Sequence, residues 1–253
     1  MADERAKPQD VFSKRSKFYV TSALHTDPEV LANVVRLSSP SKGMVALDVG
    51  TGTGHTAMAL APFLEKVIGL DITEEMLQEG RKVSKEKGLL NVEFRIGDAM
   101  ELPFPDGSFD IVTCRRAAHH FTDIGKAIRE MARVLRTGGR LVIDDRSVPD
   151  DDEADVMMNR LDILHDPSHV REYRAGEWQK MLAEADMDVV EVQRYTRHLP
   201  MSKFTAGLDG AVAERMNDLS ASASPACKRK LNYEMKEEPY IDHFFVMLLA
   251  TKK

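Results

Sequence analysis

Residues 44–54 read Met-Val-Ala-Leu-Asp-Val-Gly-Thr-Gly-Thr-Gly, an apolar run that stops at a glycine-rich turn. Met44, Val45, Ala46, Leu47 and Val49 read as a buried strand. The residues after Gly54, His-Thr-Ala-Met-Ala-Leu-Ala, read as a helix. Strand, glycine turn and helix in that order open a nucleotide-binding α/β fold. Glycine has no Cβ, so a ligand can lie directly against the backbone there.

Spacing separates two ligand classes. A dinucleotide fingerprint has its third glycine three residues after the second; that position is His55 here. Instead Gly50, Gly52 and Gly54 fall at every second residue, with Asp48 two residues ahead of the first. This resembles the first motif of class I S-adenosylmethionine (SAM) methyltransferases, acid-x-Gly-x-Gly-x-Gly. The resemblance implies SAM as cofactor, with Asp48, Gly50, Thr51, Gly52 and Gly54 around it. A pyrophosphate favours a helix N-terminus. SAM brings a sulfonium and an amino acid end instead, and a carboxylate such as Asp48 suits a cation. An ordinary Gly-rich turn of another α/β protein is the competing account.

The totals narrow the class. The chain has 253 residues, room for one sizeable α/β domain or two small ones. It is 43% hydrophobic and 30% charged, with a net charge of −6, so no basic surplus points to a nucleic-acid partner. The charged N-terminus, followed by no apolar core, does not read as a signal peptide. No apolar run is long enough for a membrane span. Cys114 and Cys227 make neither a metal motif nor a disulfide framework, and a cytoplasmic location is the expectation. No metal is expected, and the oligomeric state stays open.

From the N-terminus, residues 1–9 read as an unstructured lead and Asp10 to Ser22 as an amphipathic helix carrying Phe18 and Tyr19. Tyr19 is a weak substrate-site candidate. Asp27-Pro28-Glu29 is a helix start, and Leu31, Val34, Val35 and Leu37 give that helix its apolar face. The helix after the glycine turn is expected to run to about Leu64. Lys66 to Asp71 reads as the second strand. Asp71 stands about 20 residues after Gly50, where an acid at a strand tip binds ribose hydroxyls. A helix-capping Asp is the alternative. Thr73 is expected to cap the next helix, whose first turn contains Met76. Ile72 and Met76 are further cofactor candidates.

Val92 to Ile96 alternates as a third strand and ends in Gly97-Asp98-Ala99. In the methyltransferase family an Asp at this tip faces the adenine amino group and the next N–H a ring nitrogen; Asp98 and Ala99 match. Leu102 to Asp110, Leu-Pro-Phe-Pro-Asp-Gly-Ser-Phe-Asp, is similar to ubiquinone/menaquinone-biosynthesis-type methyltransferases. The fourth strand, Ile111 to Cys114, exits through Arg115-Arg116-Ala117-Ala118-His119-His120. The resemblance implies contacts to the methionine part of SAM here, from Arg115, the Ala118 backbone or the His120 region. His119 or His120 is also a candidate general base, against a structural role for each. The Asn/Asp-Pro-Pro-aromatic motif of base and amide methyltransferases is absent, which counts against those acceptors.

Ala127 to Ile143 matches the family's next landmark, so the resemblance spans about residues 44–146. Asp150 to Asp155 reads as a solvated helix start rather than a metal site. His165, His169 and Arg171 lie where small-molecule methyltransferases build part of the acceptor pocket, and are weak substrate-site candidates. The expected fold is a doubly wound, Rossmann-like, mostly parallel sheet, for which the resemblance implies seven strands, the last antiparallel. Its segments are an N-terminal helical cap (1–40), a cofactor-binding core (41–199), a helical lid insertion (200–239) and the last strand (240–253). The activity expected is SAM-dependent methyl transfer to a small-molecule acceptor through O, C, N or S, leaving S-adenosylhomocysteine. The alternatives are a nicotinamide-dependent oxidoreductase and a catalytically silent SAM-binding protein.

Overall fold

The computed structural model describes residues 6–253. In chain order the elements are α1 (Pro8–Thr21), α2 (Pro28–Ser38), β1 (Val45–Val49), α3 (His55–Leu60), β2 (Lys66–Asp71), α4 (Glu74–Glu86) and β3 (Val92–Ile96). There follow β4 (Phe109–Arg115), α5 (Ile124–Val134), β5 (Leu135–Ser147), α6 (Asp152–His165), α7 (Ala175–Glu184) and β6 (Met187–Pro200). The chain closes with α8 (Met201–Phe204), α9 (Gly210–Ala221), α10 (Pro225–Lys230), β7 (Glu234–Met235) and β8 (Pro239–Lys252).

The sheet runs β3-β2-β1-β4-β5-β8-β6, with the two-residue β7 paired to β8. The first five strands are mutually parallel, and β8 is antiparallel to both β5 and β6. β2 and β4 flank β1 on opposite sides, so the strand order reverses at β1. The crevice beyond the carboxyl ends of the strands at such a reversal is where ligands bind in open α/β sheets.

Helices cover both faces. α5 and α7 lay Ile128, Met131, Trp178 and Leu182 against β4, β5 and β8 to form the main core. On the other face α2 buries Val30, Val34 and Leu37 against Val142, Met247 and Leu249. α2 begins as its sequence predicts: Asp27 accepts the N–H groups of Glu29 (3.0 Å) and Val30 (3.2 Å), a cap worth about 1 kcal/mol. Three buried aliphatic side chains, at roughly 1.5–3 kcal/mol each, outweigh that cap and fix α2 to the sheet. α1 has no such anchor: Ser16 is its one fully buried residue. It lies across α4.

Several boundaries differ from the sequence reading. Residues 1–5 of the expected lead lie outside the described residues, and α1 already starts at Pro8. The helix after the glycine turn ends at Leu60, and a 3-10 turn carries Pro62 to Phe63. Thr73 occupies the N-cap of α4 but makes no side-chain cap bond; Asp71 Oδ1 takes the Thr73 N–H instead (2.9 Å). The acidic run is solvated only in part. Asp151 caps α6, and Asp155 is buried between Arg171 and Arg174. The segment between β6 and β8 carries α8, α9, α10 and the short β7. Its Met201, Phe204, Met216 and Leu231 pack with Met158 and Leu161 of α6 into a separate core.

Candidate functional site

The glycine turn after β1 is bound to the tip of β2. Thr51 donates its backbone N–H to the Leu70 carbonyl (2.9 Å), and Gly52 donates its own to Asp71 Oδ2 (2.8 Å). Gly50 sits at φ +65°, and a Cβ there would come within 2.4 Å of the Ala117 Cβ. Gly54 sits at φ +84°, and a Cβ there would meet the Phe94 ring at 2.6 Å. Gly50 lines the cavity beside the turn; Gly54 does not, and serves the packing beneath it.

Asp48 lies outside the cavity too. Its carboxylate is sealed under the turn, where Oδ2 accepts the Thr51 hydroxyl (2.6 Å) and Oδ1 the Thr113 hydroxyl (2.7 Å). Burial pushes its pKa up, against those hydrogen bonds. In this structure Asp48 braces the turn and offers no oxygen to the cavity's ligand.

The cavity itself, about 260 Å³, opens at the strand reversal. It brings together Gly50, Thr51, Gly52, Asp71, Ile72, Met76, Asp98, Ala99, Arg115, His120 and Tyr19. Asp71 has spent one acceptor position on each oxygen, on Gly52 and Thr73. A carboxylate has about four such positions, and the Thr73 hydroxyl and the Ile72 N–H also approach this one. Burial raises its pKa, and the backbone N–H groups oppose the shift. Ile72 is 38% exposed and offers an apolar face beside Asp71. Asp98 Oδ1 accepts the Met100 N–H (2.8 Å).

Arg115 is a buried cation at the wall of this cavity. Its Nε–H donates to Thr56 Oγ1 (2.9 Å) and its Nη2 to the His25 carbonyl (2.7 Å), while Nη1 has no partner. Burial lowers its pKa. Among the described residues no carboxylate makes an ion pair with it, and Asp144 and Asp48 balance its charge only from a distance. Its neighbour Arg116, at φ +55°, is balanced by Asp144 (3.0 Å) and lies 3.9 Å over the Phe245 ring.

The other end of the cavity is aromatic. Phe12 and Tyr19 of α1 meet edge to face at 5.5 Å, Phe12 meets His120 at 5.0 Å, and Tyr19 meets His25 at 4.8 Å. Burial raises the Tyr19 hydroxyl to about 12 and keeps it protonated. His55 holds α1 in place: its Nε2–H donates to the Tyr19 carbonyl (3.0 Å). The residue in the place of a dinucleotide fold's third glycine is therefore a tether for the helix that covers the cavity.

The other candidates sit around this site without lining it. His119 binds Asp145 through its backbone N–H (3.1 Å) and Nδ1 (2.5 Å). His169 is buried with Nε2 3.3 Å from Asn159 Oδ1, and burial lowers its pKa to about 4. His165 packs against Phe204 at 5.0 Å. Arg171 pairs with Asp155 (3.1 Å) and Glu177 (3.2 Å). The structure thus places His165 and Arg171 in packing and ion-pair roles. Phe12, His25 and Phe121 line the cavity and were not singled out from the sequence. No local pattern marks them, because they meet the site only through tertiary packing. No group of three or more His, Cys, Asp or Glu among the described residues is arranged to hold a metal. No helix among them is long and apolar enough to cross a membrane.

Comparison with known proteins agrees with this geometry. A family model described as a methyltransferase domain matches residues 40–186. The chain belongs to the class I SAM-dependent methyltransferases. It is 42% identical over 184 residues to the uncharacterized methyltransferase YcgJ of Bacillus subtilis, covering 73% of each chain. The YcgJ crystal structure superposes with a TM-score of 0.85 over 89% of this chain and 98% of that one, at 33% identity. Over 118 residues the chain is 43% identical to demethylmenaquinone methyltransferase of Listeria welshimeri, covering 46% of this chain and 50% of that one. The doubly wound sheet is therefore a methyltransferase scaffold, and SAM is the cofactor the family implies.

Proposed function

We propose that the protein transfers the methyl group of SAM to a small-molecule acceptor bound under α1. The observation that carries the reading is Asp71: a carboxylate in the cavity wall, tied to the glycine turn at the tip of β2, with acceptor positions beyond its bonds to Gly52 and Thr73. Two adjacent ribose hydroxyls would fill those positions by charge-assisted hydrogen bonds. Asp98, with Oδ2 unengaged, and the Ala99 N–H would meet the adenine edge, with Ile72 and Met76 against its faces. Arg115 would balance the carboxylate of the amino acid end, a better use of its unpaired charge than any contact within the described residues. The methionine end would thus be held by its carboxylate, where the sequence suggested its ammonium at Asp48.

When bound, SAM supplies an electrophilic methyl on a sulfur that is already a good leaving group. The chain's own task is then to align and to exclude water. His55 and the aromatic contacts of Phe12 and Tyr19 hold α1 over the cavity for the second purpose. No free carboxylate should lie at the sulfur, since neutralisation of the sulfonium favours a weakly anionic surround; Asp48, spent on two threonines, agrees. A small acceptor is supported by the cavity's size and by the name of the Listeria relative. The net charge of −6 speaks against nucleic acid.

Isothermal calorimetry with SAM tests the reading directly, and incubation with methyl-labelled SAM and a metabolite extract tests the transfer. Binding of SAM and label in a small molecule are expected. Binding without any transfer would favour the silent SAM-binding alternative, and NAD binding in place of SAM would favour the oxidoreductase.

A further inference from the structure

His120 lines the cavity, as His25 and His55 do, and its surroundings dictate where its proton sits. Buried Asp166 accepts both the backbone N–H (2.8 Å) and the hydroxyl (2.7 Å) of Ser168 on the same oxygen, Oδ1. The Ser168 hydroxyl has then spent its one hydrogen and can only accept. His120 Nδ1 lies 3.2 Å from that oxygen and 3.2 Å from the Ser168 carbonyl, which also can only accept. Nδ1 therefore carries the hydrogen. Burial, with His119 beside it, lowers the His120 pKa to about 3, so the ring is neutral and Nε2 holds a lone pair. Nε2 has no hydrogen-bond partner among the described residues and is not sealed in the protein.

The ring cannot turn easily out of this pose. His119 lies 4.1 Å from it, itself pinned twice to Asp145. Phe12 closes the α1 side at 5.0 Å. The titratable groups that face His120 are His119 with Asp145 behind it, Asp166, and His169 at 6.3 Å; α1 packs Phe12 on the ring and brings Tyr19, with Arg15 beside it, to the same cavity and to Asp166.

We infer that His120 is a catalytic residue: Nε2 receives the proton of a hydroxyl acceptor carried on a flat apolar ring, a phenol in chemical class, with Asp166 and Ser168 setting the tautomer. This deepens the methyltransferase reading and rests on it. The acceptor's oxygen lone pair forms the new O–C bond, the C–S electron pair stays with sulfur, and the O–H proton moves to Nε2 and then to water. A weakly basic imidazole suffices, because an oxygen that has just been alkylated is far more acidic than an imidazolium. An amine attacks through its lone pair without a base, so this tautomer gives an amine acceptor no such help. The flat ring is what Phe12, Tyr19 and Phe121 can pack against.

Two measurements test this. Nitrogen-15 NMR of the histidine-labelled protein, with His120→Gln for assignment, reads the tautomer without any substrate. A neutral ring protonated at Nδ1 is expected from about pH 8 down to about pH 5; an Nε2–H tautomer, or an imidazolium in that range, overturns the inference. Methyl-labelled SAM is then offered with phenol, catechol and 2-naphthol, and separately with anilines and carbon acids. Label is expected on the oxygen of the first set. His120→Gln should lower kcat by roughly 100-fold or more, within the range for a lost general base, while SAM affinity by calorimetry moves less than about threefold. Label only in anilines or carbon acids, label in neither set, or an unchanged kcat in the variant each overturns it. Loss of SAM binding by the wild-type protein would be a separate result, against the cofactor site itself.

Discussion

Asp71→Asn separates a ligand-binding carboxylate from a helix cap. In the folded protein Asp71 accepts the Gly52 N–H at 2.8 Å and the Thr73 N–H at 2.9 Å, and the proposed ribose contact uses its remaining acceptor capacity. Asparagine keeps one oxygen and turns the other into a donor. One backbone bond and one ribose bond are lost, and the surviving bonds lose their charge. A hydrogen bond to a charged group is worth about 1.5–3 kcal/mol, so SAM affinity should fall by about 2–3 kcal/mol, roughly 30- to 160-fold. Stability should change far less, by under about 1 kcal/mol, because removing a desolvated charge offsets the lost backbone bond. Calorimetry with S-adenosylhomocysteine and its 2′-deoxy and 3′-deoxy analogues, on both proteins, completes a double-mutant cycle. A coupling of at least about 1 kcal/mol between Asp71 and one hydroxyl is expected. Zero coupling, or an affinity within about threefold of wild type, would make Asp71 a brace of the turn alone and put the ribose elsewhere.

Arg115→Met should weaken SAM binding by about 10-fold or more yet leave the melting temperature level or higher, since it removes a buried charge with no counter-ion; a lower melting temperature with unchanged affinity, by thermal shift and calorimetry, would reverse that assignment. Gly54→Ala should unfold or strongly destabilise the protein, because the φ of +84° and the Phe94 ring at 2.6 Å both resist a Cβ; a soluble variant with a wild-type denaturation midpoint would contradict the packing account. Acid sensitivity follows from the buried imidazoles: burial holds His243 at about 3, and its Nε2 has no partner. The unfolded chain binds that proton below about pH 6.5 and the folded chain refuses it, so stability is full above that pH and falls below it, by about 2 kcal/mol at pH 5. His243→Leu should flatten the dependence of unfolding free energy on pH by about one proton between pH 5 and 6, and an unchanged slope in urea titrations would refute it.

Much of the cavity proposed to hold the cofactor was legible because each of its parts is local. A strand that ends in glycines, an acid at the next strand tip and an Asp-Ala pair at the third need only the order of strands to bring them together. Asp71, Ile72, Met76, Asp98 and Ala99 accordingly share one cavity. Asp48 misled for a reason sequence cannot show. It lies in the same strand pattern, but Thr51 and Thr113 close over it, and Thr113 comes from a strand 65 residues away. Arg115 was placed correctly at the exit of β4, but its lack of a counter-ion is a property of the packed interior. The histidines illustrate the same limit. His119 and His120 are adjacent in sequence, yet one faces Asp145 and the other Ser168, and only that difference makes one of them a candidate base.

The division has a functional consequence. The family model matches residues 40–186, which contain the strand tips, Arg115, His120 and the Asp166–Ser168 pair. Phe12, Tyr19 and His25 fall before that match, on α1 and the turn after it. The proposed donor seat and the contacts of His120 Nδ1 therefore lie within the shared scaffold, whereas the aromatic wall that a ring would pack against comes from a helix outside it. α1 has one buried residue, Ser16, and is held by His55 and by edge-to-face aromatic contacts of about 0.5–1.5 kcal/mol each. Such a segment can change its side chains without disturbing the sheet. Exchange of Phe12 and Tyr19 should thus alter which ring is accepted while SAM affinity stays within about threefold, because neither residue contributes to the hydrogen bonds around Asp71. Acceptor competition assays on Phe12→Leu and Tyr19→Phe read this directly, and a parallel loss of SAM binding would show instead that α1 belongs to the donor site.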